Sequence, residues 1–412
     1  MFGNGEMPLP PSSPVTRALT PWLGFILALI GLIWAGGILL DLGIALFTEQ
    51  VISAILAHSL AIIYLNVPPG GGPRGHLPWY DGLLTALGFG IGWYLFFRYP
   101  VLAEEFFYLP VETTIVGGLL VLLVIEALRR TAGWSLFFVL MAFCLYALLG
   151  HLVPGDLAGR SLHPSKFFSF LGIDNVALLG LPLTVISTIV IIFIFLGQVL
   201  QQTGGSVFFT DIATATMGHT RGGSAKIAVM ASGLFGSISG SAVSNVASTG
   251  VITIPLMRQG GYRAKVAGAI EAVASTGGQI MPPIMGAAAF LMAELLEVEY
   301  REVVLAAILP ALLYYIALFL QADLEAGRMG IAPIPKDQIP SALSVLKEGW
   351  YFIVPFAVLL LALFRLNAPP EKAALYGAGS IVFLGLILRY KGQKLTLSNI
   401  LTCFVKTGTT SV

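Results

Sequence analysis

The chain has 412 residues, of which 57% are hydrophobic and only 10% are charged, and its mean hydropathy is +0.88. An average soluble domain carries about 25% charged residues, so this composition excludes an ordinary soluble protein and indicates an integral membrane protein. The net charge of +1, with basic residues scattered along the chain, gives no indication of nucleic-acid binding. Cys144 and Cys403 lie in or beside apolar segments, so we expect no disulfide.

Long apolar stretches recur along the chain, and about 20 helical residues are enough to cross a hydrocarbon core. No segment shows the alternating pattern of a membrane β-barrel. The sequence therefore predicts an all-α polytopic membrane protein with about ten spans, each roughly 20 residues long. The candidate spans, in chain order, are 22–40, 50–67, 81–98, 111–128, 133–151, 183–201, 265–297, 302–322, 348–366 and 373–390.

The distribution of Lys and Arg predicts the orientation, because basic residues in short loops favour the cytoplasmic side. With the N-terminus inside, the inner loops carry sixteen of the 22 basic residues and the outer loops carry six. This split holds only if residues 224–257 enter and leave the membrane on the same side. The sequence therefore predicts a re-entrant hairpin over residues 222–258.

The stretch LFGSISGSAVSNVASTGVITIPLM, residues 234–257, has the composition that such a hairpin requires. Its apolar arms, 226–236 and 246–257, are each about a dozen residues, or roughly 17 Å of helix, which is half a bilayer. Non-helical backbone at that depth survives only where it is enclosed by protein or lines a polar cavity. The alternative is one continuous helix in which small residues such as Gly236 and Gly240 pack against a neighbour.

A second break is predicted within EAVASTGGQIMPPIMGAAAFLMAE, residues 271–294, where Gly277, Gly278, Pro282 and Pro283 interrupt an apolar span. Each proline removes a helical hydrogen-bond donor and clashes with the preceding turn, which frees backbone carbonyls. The alternative is a helix that is kinked but continuous. Two broken membrane elements close together are typical of secondary transporters.

These residues carry a family resemblance. Residues 221–294, and more loosely 306–326 and the rest of the chain, resemble the large membrane subunit of tripartite ATP-independent periplasmic (TRAP) transporters. The similarity is closest to the fused permeases that work with TAXI-type receptors. The resemblance implies a sodium-driven importer in a bacterial or archaeal inner membrane. It would take a small organic acid from a periplasmic TAXI-type solute-binding protein and move it by an elevator mechanism.

The resemblance also implies an organisation of the chain. Residues 1–130 would correspond to the small, scaffold subunit, 131–182 to a connecting helix and outer loop, and 183–412 to the first part of the large subunit. The last residues, 395–412, look like the first helix of a second repeat. The rest of that repeat would lie in a continuation of the chain or in a second chain.

Carried over residue by residue, the family pattern implies a sodium site and a solute site built by the two breaks, besides contacts with membrane lipids. No cofactor other than the coupling ion is expected. The expected sodium ligands are Ser239, Gly240, Ser241, Asn245, Ser275, Thr276, Gly277 and Gly278. The expected solute-binding residues are Ser241, Ser244, Asn245, Thr249 and Gln279, and the helix break is formed at Pro282 and Pro283.

Three further features of the sequence bear on the transporter interpretation: an acid within a span, a serine-protease-like sequence and a glycine-rich segment. Glu271 is an acid within a predicted span, so a direct role in binding solute or ion is one alternative. The other is a shallow position near the inner interface, where Arg263 or Lys265 could neutralise it. The sequence SISG at 237–240 departs by one residue from the nucleophile pattern of intramembrane serine proteases, so a hydrolase using Ser239, or a non-transporting scaffold subunit, remains an alternative. The segment GHTRGGSAK lacks the Gly-Lys-Ser/Thr of a phosphate loop, so no nucleotide site is expected.

Overall fold

The computed structural model describes residues 13–70, 76–108 and 110–412, and these residues are almost entirely helical. Within this part of the chain, the only β pairing is an isolated bridge between Tyr390 and Gln393. The prediction of an all-α polytopic protein is confirmed. Arg74, one of the sixteen basic residues that the sequence assigns to the inner loops, lies outside the described residues.

The chain forms two compact units, the first comprising residues up to Ser187 together with Phe404–Val412, and the second Thr188–Cys403. The helices of the first unit are α1 Pro14–Ala35, α2 Ile38–Asp41, α3 Thr48–Asn66, α4 Trp79–Glu105, α5 Val111–Leu149, α6 Pro164–Ile173 and α7 Leu181–Val185. The helices of the second unit are α8 Ile191–Gln202, α9 Gly205–Met217, α10 Gly223–Ser239, α11 Ala242–Gln259, α12 Ala264–Gly277, α13 Ala287–Leu295, α14 Tyr300–Met329, α15 Ala342–Gly349, α16 Val354–Phe364 and α17 Pro370–Ile387. The last helix, α18 Leu397–Thr410, contributes residues to both units.

Five helical segments of the described chain are long and apolar enough to cross a membrane, or six if the bent pair Lys336–Phe352 and Val354–Phe364 is one span. The five are Pro14–Ala35, Thr48–Asn66, Val111–Leu152, Leu181–Gln202 and Tyr300–Met329. The expected ten spans therefore exceed the helices that meet these criteria. Two of the expected spans, 111–128 and 133–151, merge into one helical run, and the expected span 265–297 is divided between α12 and α13.

The first unit is built around α3, which packs against α1, α4 and α5. Leu60 and Tyr64 of α3 are buried with Leu95 of α4 and Leu120 of α5. A buried ion pair joins Asp81 of α4 to Arg130 of α5, with 2.7 Å between Oδ1 and Nη1. Beyond this pair, Gly133 has φ 82° and ψ −178° and breaks α5. The predicted functional boundaries at residues 130 and 182 remain predictions, because compactness alone does not define them.

The second unit is organised around α10, which packs against α8, α9, α11, α12 and α14. Small residues let these helices approach closely: Ala228 of α10, Ala267 and Ala274 of α12, and Ala322 of α14 are all buried in one apolar cluster. Close approach of helices through small residues is typical of membrane proteins, where apolar burial between helices gives little driving force. This packing brings the hairpin and the broken helix together.

Candidate functional site

The chain reverses direction between α10 and α11 with only Gly240 and Ser241 outside the helices. Gly240 adopts the left-handed conformation, with φ 59°, which residues with a Cβ rarely adopt. Ser241 is the N-cap of α11, and its hydroxyl oxygen accepts a hydrogen bond from the Ser244 amide at 3.3 Å. The predicted break is confirmed, and a continuous helix through this segment is excluded.

The two arms run antiparallel. The side-chain amide of Asn245 donates to the Ser232 carbonyl at 2.8 Å, and the hydroxyls of Ser232 and Thr249 lie 3.0 Å apart. Gly236 lies opposite Asn245, where a Cβ would be 2.7 Å from the amide nitrogen. The segment is therefore a tight helical hairpin, as the sequence predicted.

The lengths of the arms differ from the prediction. The arms contain 17 and 18 residues, or about 26 Å of helix each, instead of about a dozen residues. Ser237 and Ser248 are helical, and their hydroxyls are satisfied within their own helix by donating to the carbonyls of Leu234 and Ser244. Polar composition was therefore a poor guide to where each arm ends.

The second break is also confirmed. Helix α12 ends at Gly277, and residues 278–286 form turns before α13 begins. The Gly286 amide donates to the Gln279 carbonyl at 2.7 Å, which closes this loop on itself. The hydroxyl of Tyr300, at the start of α14, donates to the Pro283 carbonyl at 3.0 Å and also contacts the Ile284 carbonyl. The carbonyls of Pro283 and Ile284, in the loop outside both helices, thus accept hydrogen bonds from a neighbouring helix.

The two breaks lie against each other. The Ile284 amide donates to the Ser237 carbonyl at 3.2 Å. A Cβ at Gly240 would overlap the Met285 carbonyl oxygen, and a Cβ at Gly236 would lie 2.7 Å from the Gly278 Cα. Glycine is therefore needed at the contact as well as in the turn. The structure brings together the two segments that sequence reasoning assigned to one site.

Among the described residues, neither Arg263 nor Lys265 pairs with Glu271, so the predicted neutralisation of Glu271 was wrong. The Glu271 side chain is fully buried on α12 and forms no ion pair with any other basic side chain of the described residues. Hydroxyls surround it: Oε1 lies 2.8 Å from Ser232, 2.7 Å from Thr249 and 3.1 Å from Ser275, and Oε2 lies 2.5 Å from Thr253. The cause is the face of α12 on which Glu271 lies, since this face packs against the hairpin.

The expected site residues fall into three groups. Asn245, Thr249 and Ser275 are buried in or beside the network around Glu271. The second group lies at or near the contact between the breaks. Gly240 and Gly278 are at the contact itself, Ser239 and Ser241 are the neighbours of Gly240, and Pro282 and Pro283 are in the loop after α12. Ser244 is in the first turn of α11, and Gly277, at the end of α12, packs on Tyr314. Thr276 and Gln279 are exposed, and the Thr276 hydroxyl donates to the Ala272 carbonyl at 2.7 Å. The structure does not bring these last two side chains into the buried network.

Sequence reasoning missed Ser232, Thr253 and Tyr300. A signal for Thr253 was present, because Asn245, Thr249 and Thr253 are spaced four residues apart and so share one face of a helix. Glu271 and Ser275 have the same spacing on the next helix. No comparable pattern identified Tyr300, whose role depends on the packing of α14.

Ion pairs connect the base of the hairpin to α14. Asp323 of α14 forms ion pairs with Lys226 of α10, at 2.6 Å, and with Arg221 in the turn before α10. The Tyr262 hydroxyl, in the turn after α11, lies close to Gly222. Burial, with smaller contributions from Asp323 and Glu325, raises the pKa of Tyr262 to about 12, so this hydroxyl stays neutral at physiological pH.

Comparison with known protein families gives the chain its assignment. Residues 119–412 match the family described as "Tripartite ATP-independent periplasmic transporter, DctM component". The chain belongs to this family. The match covers both of the broken elements described above. It confirms the resemblance to the TRAP large permease, while the TAXI type of the permease remains a prediction.

Individual TRAP permeases are similar over part of their length. The chain is 25% identical over 256 residues to SiaM, the sialic acid TRAP transporter large permease protein of Vibrio cholerae, covering 62% of this chain and 55% of SiaM. It is 26% identical over 291 residues to the sialic acid TRAP transporter permease SiaT of Haemophilus influenzae, covering 70% of this chain and 43% of SiaT. It is 27% identical over 205 residues to the C4-dicarboxylate permease DctM of Pseudomonas aeruginosa, covering 50% of this chain and 47% of DctM. The chain thus spans about half the length of the curated relatives it matches.

The hydrolase alternative finds no support in this geometry. The Ser239 hydroxyl is buried and forms no hydrogen bond within the described part of the chain, so no general base lies beside it. The sequence offers His58 and His151 as candidate bases, and Nδ1 of His58 lies 2.7 Å from the Ala54 carbonyl of its own helix. The named TRAP relatives are permeases and not enzymes.

Proposed function

We propose that this chain is the membrane permease of a sodium-coupled secondary transporter that imports a small organic acid. A periplasmic solute-binding protein of the TAXI type would deliver the solute, and an elevator movement of the hairpin and broken helix would carry it across the inner membrane. The observation that carries this proposal is the contact between the two breaks. Transporters build ion and solute sites from such discontinuous helices.

The chemistry at this contact supports a cation as the coupling ion. Carbonyls around Gly240 and Met285 and the hydroxyl of Ser239 provide the oxygen ligands that hard cations prefer. Ser239 is a particular candidate, because its hydroxyl is buried and has no hydrogen-bond partner among the residues that the structure describes. The N-terminus of α11, where Ser244 and Asn245 lie in the first turn, favours an anion through the helix dipole. We propose that the solute's carboxylate binds there.

The names of the relatives support the class of solute. Sialic acid and C4-dicarboxylates, the solutes in these names, are both organic acids. The partial coverage of these relatives supports a further part of the proposal: the complete site includes a second repeat, in a continuation of the chain or in a second polypeptide. Residues 1–130 would then act as the scaffold.

The energy source is testable in reconstituted vesicles. Inward sodium movement gains about 2.3 kcal/mol per charge per 100 mV of membrane potential. The complete transporter and its receptor are reconstituted, and uptake of organic acids is measured with and without an inward sodium gradient. We expect accumulation only with the gradient. Uptake that is indifferent to sodium and follows a proton gradient would contradict the ion assignment.

A further inference from the structure

A groove of about 300 Å³ runs between α12 and α14 of the second unit. Its apolar lining comes from one face of each helix, since residues three or four apart lie on the same face. The apolar residues that line it are Val266, Ala269, Ile270 and Val273 of α12 and Leu318 and Ala322 of α14. Ile270 and Ala322 are buried, whereas Ala269 and Val273 are exposed, so the groove opens on the outside of the helix pair.

The groove has one polar end and one apolar end. Its lining on α12 begins at Lys265, in the first turn, and ends at Val273, about 12 Å further along the helix axis. On α14 the lining runs in the opposite direction, from Leu318 to Glu325. The Tyr314 hydroxyl donates to the Val273 carbonyl at 2.7 Å and joins the two helices at the apolar end. The groove is therefore bounded at one end by Tyr314 and reaches Lys265 at the other.

Positive charge predominates at the Lys265 end of the groove. Lys265 and Arg263, the N-cap residue of α12, are exposed, and neither forms an ion pair within the part of the chain that the structure describes. Glu325, which lines the same end, is paired with Arg328, with 3.6 Å between Oε1 and Nη2. The N-terminus of α12 adds the positive end of its helix dipole. This end of the groove therefore favours an anion.

The orientation predicted from the basic residues places this end at the cytoplasmic face, because Arg263 and Lys265 are among the inner basic residues. The cytoplasmic leaflet carries anionic lipids, and basic pockets between helices on this side bind anionic head groups. The length of the groove, about 12 Å, is close to the hydrocarbon thickness of one leaflet, roughly 15 Å. The apolar lining would thus lie at the depth of the acyl chains.

The groove is too small to hold a helix of the missing second repeat. A 12 Å length of α-helix is at least about 10 Å in diameter and fills about 900 Å³, or about three times the volume of the groove. An acyl chain is only one methylene wide, and it has no backbone polar groups that must be satisfied in an apolar lining. The shape and the charge of the groove therefore both favour a lipid.

We propose that this groove binds an anionic phospholipid of the inner leaflet, with one acyl chain between α12 and α14 and the phosphate beside Lys265. The chain leaves one apolar environment for another, so the hydrophobic effect gives little preference for this site over the bilayer. The preference comes from the charge at Lys265 and from the fit of the chain. The site goes beyond the proposed function, because it involves neither the solute nor the coupling ion.

Lipid binding is measured by native mass spectrometry on the complete purified transporter in a neutral detergent. Phosphatidylglycerol and phosphatidylcholine with the same acyl chains are titrated in separate series, so that the net charge of the head group is the main difference between them. We expect one phosphatidylglycerol molecule to bind at least fivefold more tightly than phosphatidylcholine. Inorganic phosphate should not displace it, because phosphate lacks the acyl chain.

Two substitutions separate the effect of charge from that of shape. Lys265→Gln removes the charge and should lower the affinity for phosphatidylglycerol to that for phosphatidylcholine, which should itself be unchanged. Ala269→Phe fills the groove and should weaken the binding of both lipids at least fivefold. The matched controls are Lys347→Gln, at an exposed lysine of α15, and Ala272→Phe, at an exposed alanine of α12 outside the groove. Both controls should bind both lipids like the unmodified protein.

Equal affinities for the two lipids in the unmodified protein would overturn the proposal, as would displacement by phosphate. An equal loss of phosphatidylglycerol binding in Lys265→Gln and Lys347→Gln would mean attraction to the general surface charge, and would also overturn it. Unchanged binding in Ala269→Phe would mean that the lipid lies elsewhere or that a segment of the second repeat covers the groove. If Ala269→Phe fails to fold, Ala269→Leu decides by the same criterion. Because the experiment contains no solute or sodium gradient, its failure leaves the proposed function intact.

Discussion

Gly240 shows how closely a single residue can be determined by its surroundings. Its positive φ allows the chain to reverse within two residues, and its missing side chain allows the Met285 carbonyl to approach. The sequence predicted both the reversal and the close approach of backbone at this position. Glu271 shows the opposite case. The sequence shows a glutamate within an apolar span, but no local pattern predicts that its side chain is buried among hydroxyls.

Replacement of Gly240 by alanine should destabilise the second unit. The left-handed conformation alone costs about 1–2 kcal/mol for a residue with a Cβ, and the overlap with the Met285 carbonyl adds to it. Gly268→Ala is the matched control, since a Cβ there meets nothing within 4 Å and its backbone is helical. We expect Gly240→Ala to lower the midpoint of thermal unfolding and to reduce uptake, and Gly268→Ala to do neither. Equal stability of the two variants would contradict the assigned conformation.

At the scale of elements, the two breaks depend on each other. The loop 278–286 has few hydrogen bonds of its own and is held by Ser237 of the hairpin and by Tyr300 of α14. The ring of Tyr300 stacks on Phe290 of α13, with 4.4 Å between centroids. The sequence predicted each break separately from its Gly and Pro residues. It could not predict the hydrogen bond from the Ile284 amide to the Ser237 carbonyl that joins them, since these residues are distant along the chain.

Tyr300→Phe should loosen the broken helix while preserving the aromatic stack. The substitution removes the donor to the Pro283 carbonyl, and a buried acceptor left without a partner costs about 1–3 kcal/mol. We expect a lower unfolding midpoint and slower uptake, together with faster amide hydrogen exchange in residues 278–286. Tyr376→Phe, at an exposed tyrosine of α17, is the control. Unchanged exchange in the loop would show that Tyr300 does not hold it.

At the scale of the whole molecule, the distribution of charge and the hairpin together predict the orientation in the membrane. The sixteen-to-six split of basic residues required that the segment around Gly240 fold back, and the structure contains this reversal. The split also predicts that the N-terminus and both ends of the hairpin face the cytoplasm.

Single cysteines test this orientation in a background without Cys144 and Cys403. We expect His219→Cys and Arg258→Cys, at exposed positions beside the two ends of the hairpin, to react with an impermeant thiol reagent from the cytoplasmic side only. Lys394→Cys should react from the same side, and Glu297→Cys, after α13, from the outer side. Labelling of positions 219 and 258 from opposite faces would mean that the hairpin crosses the membrane.

The sequence by itself determined the helical class, the two breaks and the family pattern, because each depends on composition or on residues close together in the chain. Gly240 and the pair Pro282 and Pro283 act on their own backbone, so their effect could be predicted without a fold. Only the tertiary structure decided the lengths of the hairpin arms, the contact between Gly240 and Met285, and the burial of Glu271. The physical reason is that these features depend on which helix faces meet, and hydroxyls from three helices stabilise Glu271 only after the hairpin has packed on α12.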